Sequence, residues 1–504
     1  MVDQMRADYV ERDRHLWTGG LHRLLADGAW FREASYPYVN TVTCAGHASV
    51  STGALPSVHG MIMNTWWDRM RSRVVACADD PTVMDLSYGR SVDAPGESAS
   101  GLLAPTFADE LRAQRPSGTR VVSLSLKARA ALTMGGQQPD AVAWVVDQGA
   151  WVTSTAFPHG LNPAIAEYIS SHPVERELYT TWDRARPQAA YANEPAAIGV
   201  RSDAWQHTFP HTIQTWDDWQ ASPSSDAYLG RLALHAARSL RLGSPGNTDF
   251  LAISFSALDL VGHIYGPDSH EVQDVLIRLD STLGTLLDGL DDLVGRDHYV
   301  VALSADHGVA PTPERTLNLG IDAGRIQPRS VTDVAEKAVA RVLGPGHWVN
   351  RLLNGDLYLE DAVFEQLRGR HGALHALRAA LEALPGIRAV FTRDQLTGAA
   401  PMADPLQQQV ANGFHPERSG DVALVLKPFW LVGGSGGANH GTPYRYDTHV
   451  PVVFWGPGIR SGQFSQAVTP LDIAPTLAFL AGITMPHAQG QVLTDALAPS
   501  STTR

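Results

Sequence analysis

Two short apolar runs, Phe250 to Phe255 and Tyr299 to Leu303, each deliver an acidic residue and a histidine at their C-terminal ends. That repeated arrangement constrains the fold more than any other feature of the chain. Runs of five or six mainly apolar residues read as strands buried on both faces, the pattern of parallel strands in an α/β sheet. Such sheets build their sites at the carboxyl ends of the strands. The first run leads into Ser256-Ala257-Leu258-Asp259-Leu260-Val261-Gly262-His263, where carboxylate and imidazole stand one helical turn apart and can reach one ion. The second leads into Asp306-His307-Gly308, adjacent ligands that suit irregular backbone leaving a strand. A lone Asp or His is more often a cap, a surface group or a packed core residue. The joint pattern is the informative one: with Asp3 and His440, these residues make a set of six that suffices for two zinc ions.

A nucleophile is sought in Asn40-Thr41-Val42-Thr43-Cys44-Ala45-Gly46-His47-Ala48-Ser49, which reads as a loop entering a short helix. Thr43 is the candidate, because a bound cation and a helix N-terminus both favour an alkoxide. On this segment alone an ordinary helix cap is the favoured reading. Lys127 and Arg129 stand two apart in Val122-Ser123-Leu124-Ser125-Leu126-Lys127-Ala128-Arg129, so a strand continuing through them would project both to one face. Alone, that pair reads as a solvated face rather than a phosphate clamp.

Taken together these segments resemble the alkaline phosphatase superfamily, most closely the alkaline phosphatases that use a threonine nucleophile. The resemblance runs over nearly the whole chain. It begins at Val2-Asp3-Gln4-Met5-Arg6-Ala7-Asp8-Tyr9 and continues through Thr43 to His47, Thr52-Gly53 and Pro56-Ser57-Val58-His59-Gly60. Asn64-Thr65-Trp66-Trp67-Asp68, Ser125 to Arg129, Trp151-Val152-Thr153-Ser154 and the two Asp/His clusters follow. Asn439-His440-Gly441-Thr442-Pro443-Tyr444 and Asp472-Ile473-Ala474-Pro475-Thr476 close it.

The resemblance implies two zinc ions, one held by Asp259, His263 and His440, the other by Asp3, Asp306 and His307 with Thr43 beside it. It implies phosphate monoester hydrolysis through a phosphothreonine, with Asn64, Lys127 and Arg129 contacting the phosphoryl group. Related nucleotide pyrophosphatases and phosphodiesterases share the threonine and asparagine but lack the Lys-x-Arg pair, so they form the main alternative. A non-catalytic binding protein that kept the fold is a distant third. Sulfatases need Pro two residues and Arg four residues after their cysteine; Gly46 and Ala48 stand there after Cys44. The phosphoglycerate mutase branch uses manganese and serine, which Thr43 argues against.

The expected architecture is α/β, a mostly parallel central sheet flanked by helices, with cap insertions and a small α+β subdomain. Residues 1–309 and 432–497 are assigned to the catalytic domain, with 131–245 as a cap or crown. Residues 310–431 form the inserted α+β subdomain, and 498–504 a disordered tail. A helix from about His270 to Leu290 carries Val272, Val275, Leu276, Leu279, Leu283 and Leu286 at helical spacing.

With 504 residues, 44% of them hydrophobic, the chain can bury a large core. A net charge of −13 with no basic patch argues against nucleic acid. No 18-residue apolar run reads as a membrane span, and small phosphorylated metabolites are the expected partners of a monomer. Cys44 and Cys77, the two cysteines, make either one bridge or two buried thiols. No signal peptide is visible, and only Met1 and Val2 precede Asp3, where related enzymes have a whole apolar strand. A late start codon or a cut chain is the expectation, with periplasmic or secreted residence inferred from the family.

Overall fold

The computed structural model describes residues 1–90, 95–115, 118–146, 149–192, 199–201, 204, 208–397, 402–434 and 436–498. The tail beyond 498 lies outside them. The core is a sheet in two halves. One half is ordered Gly462–Val468, Ala29–Ala34, Val452–Trp455, Val301–Ser304; the other Phe250–Ser254, Val121–Ser125, Ala141–Val146, Ala150–Ser154, Asp79–Ser87, Pro95–Glu97. Val2 joins them, pairing in parallel with Phe255 and donating its N–H to the Ser304 carbonyl at 2.9 Å. Asp3, Asp259 and Asp306 therefore all arise at one edge of the central strands.

The sheet is more mixed than a mostly parallel one. Phe250–Ser254, Val121–Ser125 and Ala141–Val146 run parallel, as does Gly462–Val468 beside Ala29–Ala34. Val301–Ser304 pairs antiparallel with Val452–Trp455, a strand far along the chain, and Ala141–Val146 pairs antiparallel with its sequence neighbour Ala150–Ser154. These last two strands correct the expected cap over 131–245: Ala141–Val146 and Ala150–Ser154 belong to the central sheet. The Pro223–Ser239 helix is not a cap either. It packs on the His270–Val294 helix with Leu229, Leu232, Ala233 and Ala236 buried.

The His270–Val294 helix buries Val272, Val275, Leu276, Leu279, Leu283 and Leu286 on one stripe. Its N-terminus is capped by Ser269, whose side chain accepts the Val272 N–H at 3.2 Å, and it ends before Gly295 at φ 90°. Within 310–431, Val349–Leu353, Asp356–Leu359, Val422–Leu426 and Ile387–Thr392 form a separate antiparallel sheet. Helices Pro328–Leu343 and Ala373–Glu382 cover it, giving an apolar core of its own around Val331, Val339, Leu357 and Leu377. Cys44 and Cys77 are disulfide-bonded, their Cα atoms 6.7 Å apart, so of the two readings of these cysteines the bridge is the one adopted. Among the described residues no helix is long and apolar enough to cross a membrane.

Candidate two-cation active site

Asp259 and His263 occupy successive turns of the Ala257–Tyr265 helix, with His263 Nε2 3.2 Å from Asp259 Oδ1. His440 arrives on the loop after the inserted subdomain, its Nε2 4.0 Å from the same oxygen. Asp306 and His307 leave the Val301–Ser304 strand as irregular backbone, with His307 Nε2 3.1 Å from Asp306 Oδ2. The His307 and His440 rings stack at 3.5 Å. Asp3 lies across from both groups, and the Lys127 ammonium bridges it to Asp259, at 2.8 Å and 2.5 Å.

The hydrogen bonds of the imidazoles decide which can be ligands. His263 Nδ1 faces the Ala438 carbonyl at 2.8 Å, His440 Nδ1 the Thr41 carbonyl at 2.7 Å, and His307 Nδ1 the Gly308 carbonyl at 2.8 Å. A carbonyl only accepts, so each Nδ1 carries the proton and each Nε2 turns its lone pair toward the carboxylates. This is how protein-bound metal sites fix their histidines. Asp306 Oδ2 and His307 Nε2 are buried without a hydrogen-bond partner, a costly state that a cation between them would relieve. The residues present thus offer two candidate cation groups, Asp259, His263 and His440 in one and Asp3, His47 and Asp306 in the other, with His307 beside Asp306.

His47 also stands within reach, 3.3 Å from Asp3 and 3.4 Å from Asp306. Both its nitrogens are engaged, Nδ1 with the Thr43 carbonyl at 2.9 Å and Nε2 with Ser254 Oγ at 2.7 Å. It contacts both carboxylates of that group. Gln4 does the same across the two groups, donating Nε2 to Asp259 Oδ1 at 2.7 Å and its backbone N–H to Asp306 Oδ1 at 3.0 Å. Neither residue was singled out by spacing. The one signal for either was its place within the quoted Asp3-Gln4-Met5 and Thr43 to His47 segments.

Thr43 is the first residue of the Thr43–Thr52 helix; Val42 holds the cap position, which removes the ordinary cap reading. Its side chain sits at the end where unpaired N–H groups point. Gly46 lets this helix approach the second cation group, since a Cβ there would lie 2.1 Å from the Asp306 carbonyl oxygen. Asn64 accepts the Cys44 N–H on Oδ1 at 2.9 Å, which fixes the amide and leaves its NH2 as a donor beside Thr43. The disulfide at Cys44 ties the same segment down.

Lys127 and Arg129 do not share a strand face. The strand stops at Ser125, whose hydroxyl accepts the Lys127 N–H at 3.1 Å, and a helix begins at Ala128. Lys127 in its extended cap position enters the carboxylate cluster. Arg129, one turn element later, has a buried Nε without a partner and no carboxylate within ion-pair distance among the described residues. Its charge also acts on the Glu97 carboxyl, which burial pushes up to about 7.

Burial pushes the Asp3 and Asp259 carboxyls up, but Lys127, joined by His47 at Asp3 and by His263 and His307 at Asp259, holds both below the usual carboxylate range. Burial, His307 and His263 together keep His440 neutral, as a ligand must be. Asp226, held in the buried Pro223–Ser239 helix, accepts the Ser256 and Ala257 N–H groups at 3.1 and 3.2 Å and so anchors the helix that carries Asp259.

A family model for type I phosphodiesterase / nucleotide pyrophosphatase matches residues 1–449. The chain belongs to that family. Alkaline phosphatase PhoK of a Sphingomonas species is 32% identical over 97% of this chain and 88% of its own length. Alkaline phosphatase PhoV of Synechococcus elongatus is 28% identical over 99% of this chain and 92% of its own. The crystal structure of alkaline phosphatase PafA superimposes with a TM-score of 0.91 at 28% identity, covering 99% of this chain and 98% of PafA. The α/β fold is that of these enzymes.

Proposed function

We propose that this chain is a phosphoric monoester hydrolase of the alkaline phosphatase type, with two zinc ions and a phosphothreonine formed on Thr43. The family supplies the hydrolase chemistry, and full-length relatives named alkaline phosphatases support the monoester class. The carrying observation is Lys127 with Arg129: one ammonium between Asp3 and Asp259, and one guanidinium with a buried, unpartnered Nε on the helix that packs against the Thr43–Thr52 helix. A monoester dianion brings more charge than a diester and repays such added donors.

Two divalent cations, when bound, would supply Lewis acidity at the attacking and leaving oxygens. The chain's own residues do the rest. Asp3, Asp259 and Asp306 provide three carboxylates against the single ammonium of Lys127, a charge imbalance that calls for cations. The Thr43 oxygen, its proton lost to solvent, attacks phosphorus in line as the ester P–O bond breaks and the alcohol departs with a proton; water then cleaves the phosphothreonine, releasing phosphate and restoring the Thr43 hydroxyl. Asn64 and Arg129 hold its non-bridging oxygens, with Lys127 aimed between the two groups. Zinc is supported by the donor set, three imidazoles with carboxylates. The Cys44–Cys77 bridge supports residence in an oxidising compartment, periplasmic or secreted.

The family model carries a phosphodiesterase name, and this keeps a diesterase as the second reading. Turnover of an aryl phosphate monoester against the matching methyl diester by zinc-loaded protein separates them. A monoester preference of at least about 10²-fold is expected, the scale of one strong charged contact to the transition state; a diester preference would move the enzyme to the second reading.

A further inference from the structure

A cavity of about 620 Å³ adjoins one of the two cation groups. It borders His263 and Asn439, the residue before His440, and none of Asp3, Thr43, His47 or Asp306. Its size falls within the range of roughly 300–1,000 Å³ that small-molecule pockets occupy. Part of the lining is apolar, from Leu260 and Ile264 on the helix that carries His263. The polar part comes from Asn439 and from the Trp216–Gln220 helix, which contributes Asp217 and Gln220.

Thr43 belongs to the opposite group. Its carbonyl meets His47 Nδ1 at 2.9 Å, and Gly46, on the same helical turn, abuts the Asp306 carbonyl. In an in-line displacement the attacking and leaving oxygens lie on opposite sides of phosphorus. Attack from Thr43 therefore sends the leaving oxygen toward His263 and His440, and the alcohol it carries toward this cavity.

The polar groups there indicate what kind of alcohol fits. Asn439 Oδ1 accepts the His440 N–H at 2.9 Å, which fixes the amide and leaves its NH2 as a donor. Among the described residues the Asp217 carboxylate and the Gln220 amide have no side-chain partner. A carboxylate accepts, an amide donates and accepts, and hydroxyl groups answer both. A second anionic group would meet Asp217 and Asp218 against the single guanidinium of Arg201. No Phe, Tyr or Trp among the described residues lines the cavity to stack a base.

We propose, on the monoester reading above, that this cavity is the leaving-group subsite and takes a polyhydroxy alcohol, a sugar or a polyol, through Asp217, Gln220 and Asn439. Leu260 and Ile264 pack on its C–H groups. The sugar keeps its own C–O bond and departs with a proton as the P–O bond breaks.

The test compares glucose 6-phosphate with hexyl phosphate, both monoesters of primary alcohols, in the zinc-loaded parent and in the Asp217→Ala/Gln220→Ala double variant. The parent should favour the sugar phosphate in kcat/KM by about tenfold or more, the scale of two ordinary hydrogen bonds. The double variant should lose about tenfold on the sugar phosphate, through KM, and change by less than about twofold on hexyl phosphate. Asp217→Asn keeps an acceptor and should lose less than Asp217→Ala. Equal kcat/KM on the two monoesters in the parent, or a sugar preference that survives in the double variant, would overturn the subsite while monoester hydrolysis stands. Diester turnover with neither monoester cleaved would overturn it together with the monoester reading.

Discussion

Thr43→Ala is expected to lower monoester turnover by about 10⁴-fold or more while leaving the fold and bound metal intact. Removing the nucleophile of a covalent mechanism typically costs on this scale, because cations and phosphate contacts cannot act on an attack that no longer occurs. The prediction is clean because nothing structural hangs on the Thr43 hydroxyl. The cap position belongs to Val42, the His47 bond uses the Thr43 backbone carbonyl, and Asn64 and the disulfide both engage Cys44. Alanine is also the best helix former, so the first turn is not weakened. Thr43→Ser keeps the hydroxyl and should retain far more activity than Thr43→Ala. Turnover of the alanine variant within tenfold of the parent, at equal Tm, would remove Thr43 from the mechanism.

The second large effect concerns Lys127 and Arg129, where substrate class is decided. Lys127→Ala and Arg129→Ala are each expected to depress monoester turnover by about 10²- to 10³-fold, the cost of losing one donor aimed at transition-state charge. Diester turnover should fall by less than about tenfold, since one non-bridging charge is already masked by the ester group. Arg129→Ala is the sharper of the two. Arg129 acts on one carboxyl, Glu97, without a close ion pair among the described residues, whereas Lys127→Ala leaves Asp3 and Asp259 facing each other without their bridge. Equal losses on both substrates in Arg129→Ala would contradict the phosphate-clamp assignment.

Local pattern carried far into this structure where one segment contains the whole signal. The turn between Asp259 and His263, the adjacent Asp306 and His307, and the stripe on the His270–Val294 helix all follow from spacing, and the helix and strand there have the expected form. What was not legible depends on partners distant in sequence. Val301–Ser304 looks like a parallel strand by composition, but its direction is set by Val452–Trp455, some 150 residues on. Ala141–Val146 and Ala150–Ser154, taken for part of a cap, are sheet strands only because Val121–Ser125 and Asp79–Ser87 flank them. A single hydroxyl, Ser125 Oγ on the Lys127 N–H, ended the strand that periodicity would have carried to Arg129. Gln4 and His47 have no spacing signature because their work is to touch two groups that meet only in the folded chain.

The most direct measurement is acid quench of the zinc-loaded enzyme during turnover of a phosphate monoester, followed by peptide mass analysis. Phosphate on Thr43, absent from Thr43→Ala and formed fast enough to account for turnover, is the predicted result. Active enzyme that carries no phosphothreonine at any quench time, or carries phosphate on another residue, would contradict the account.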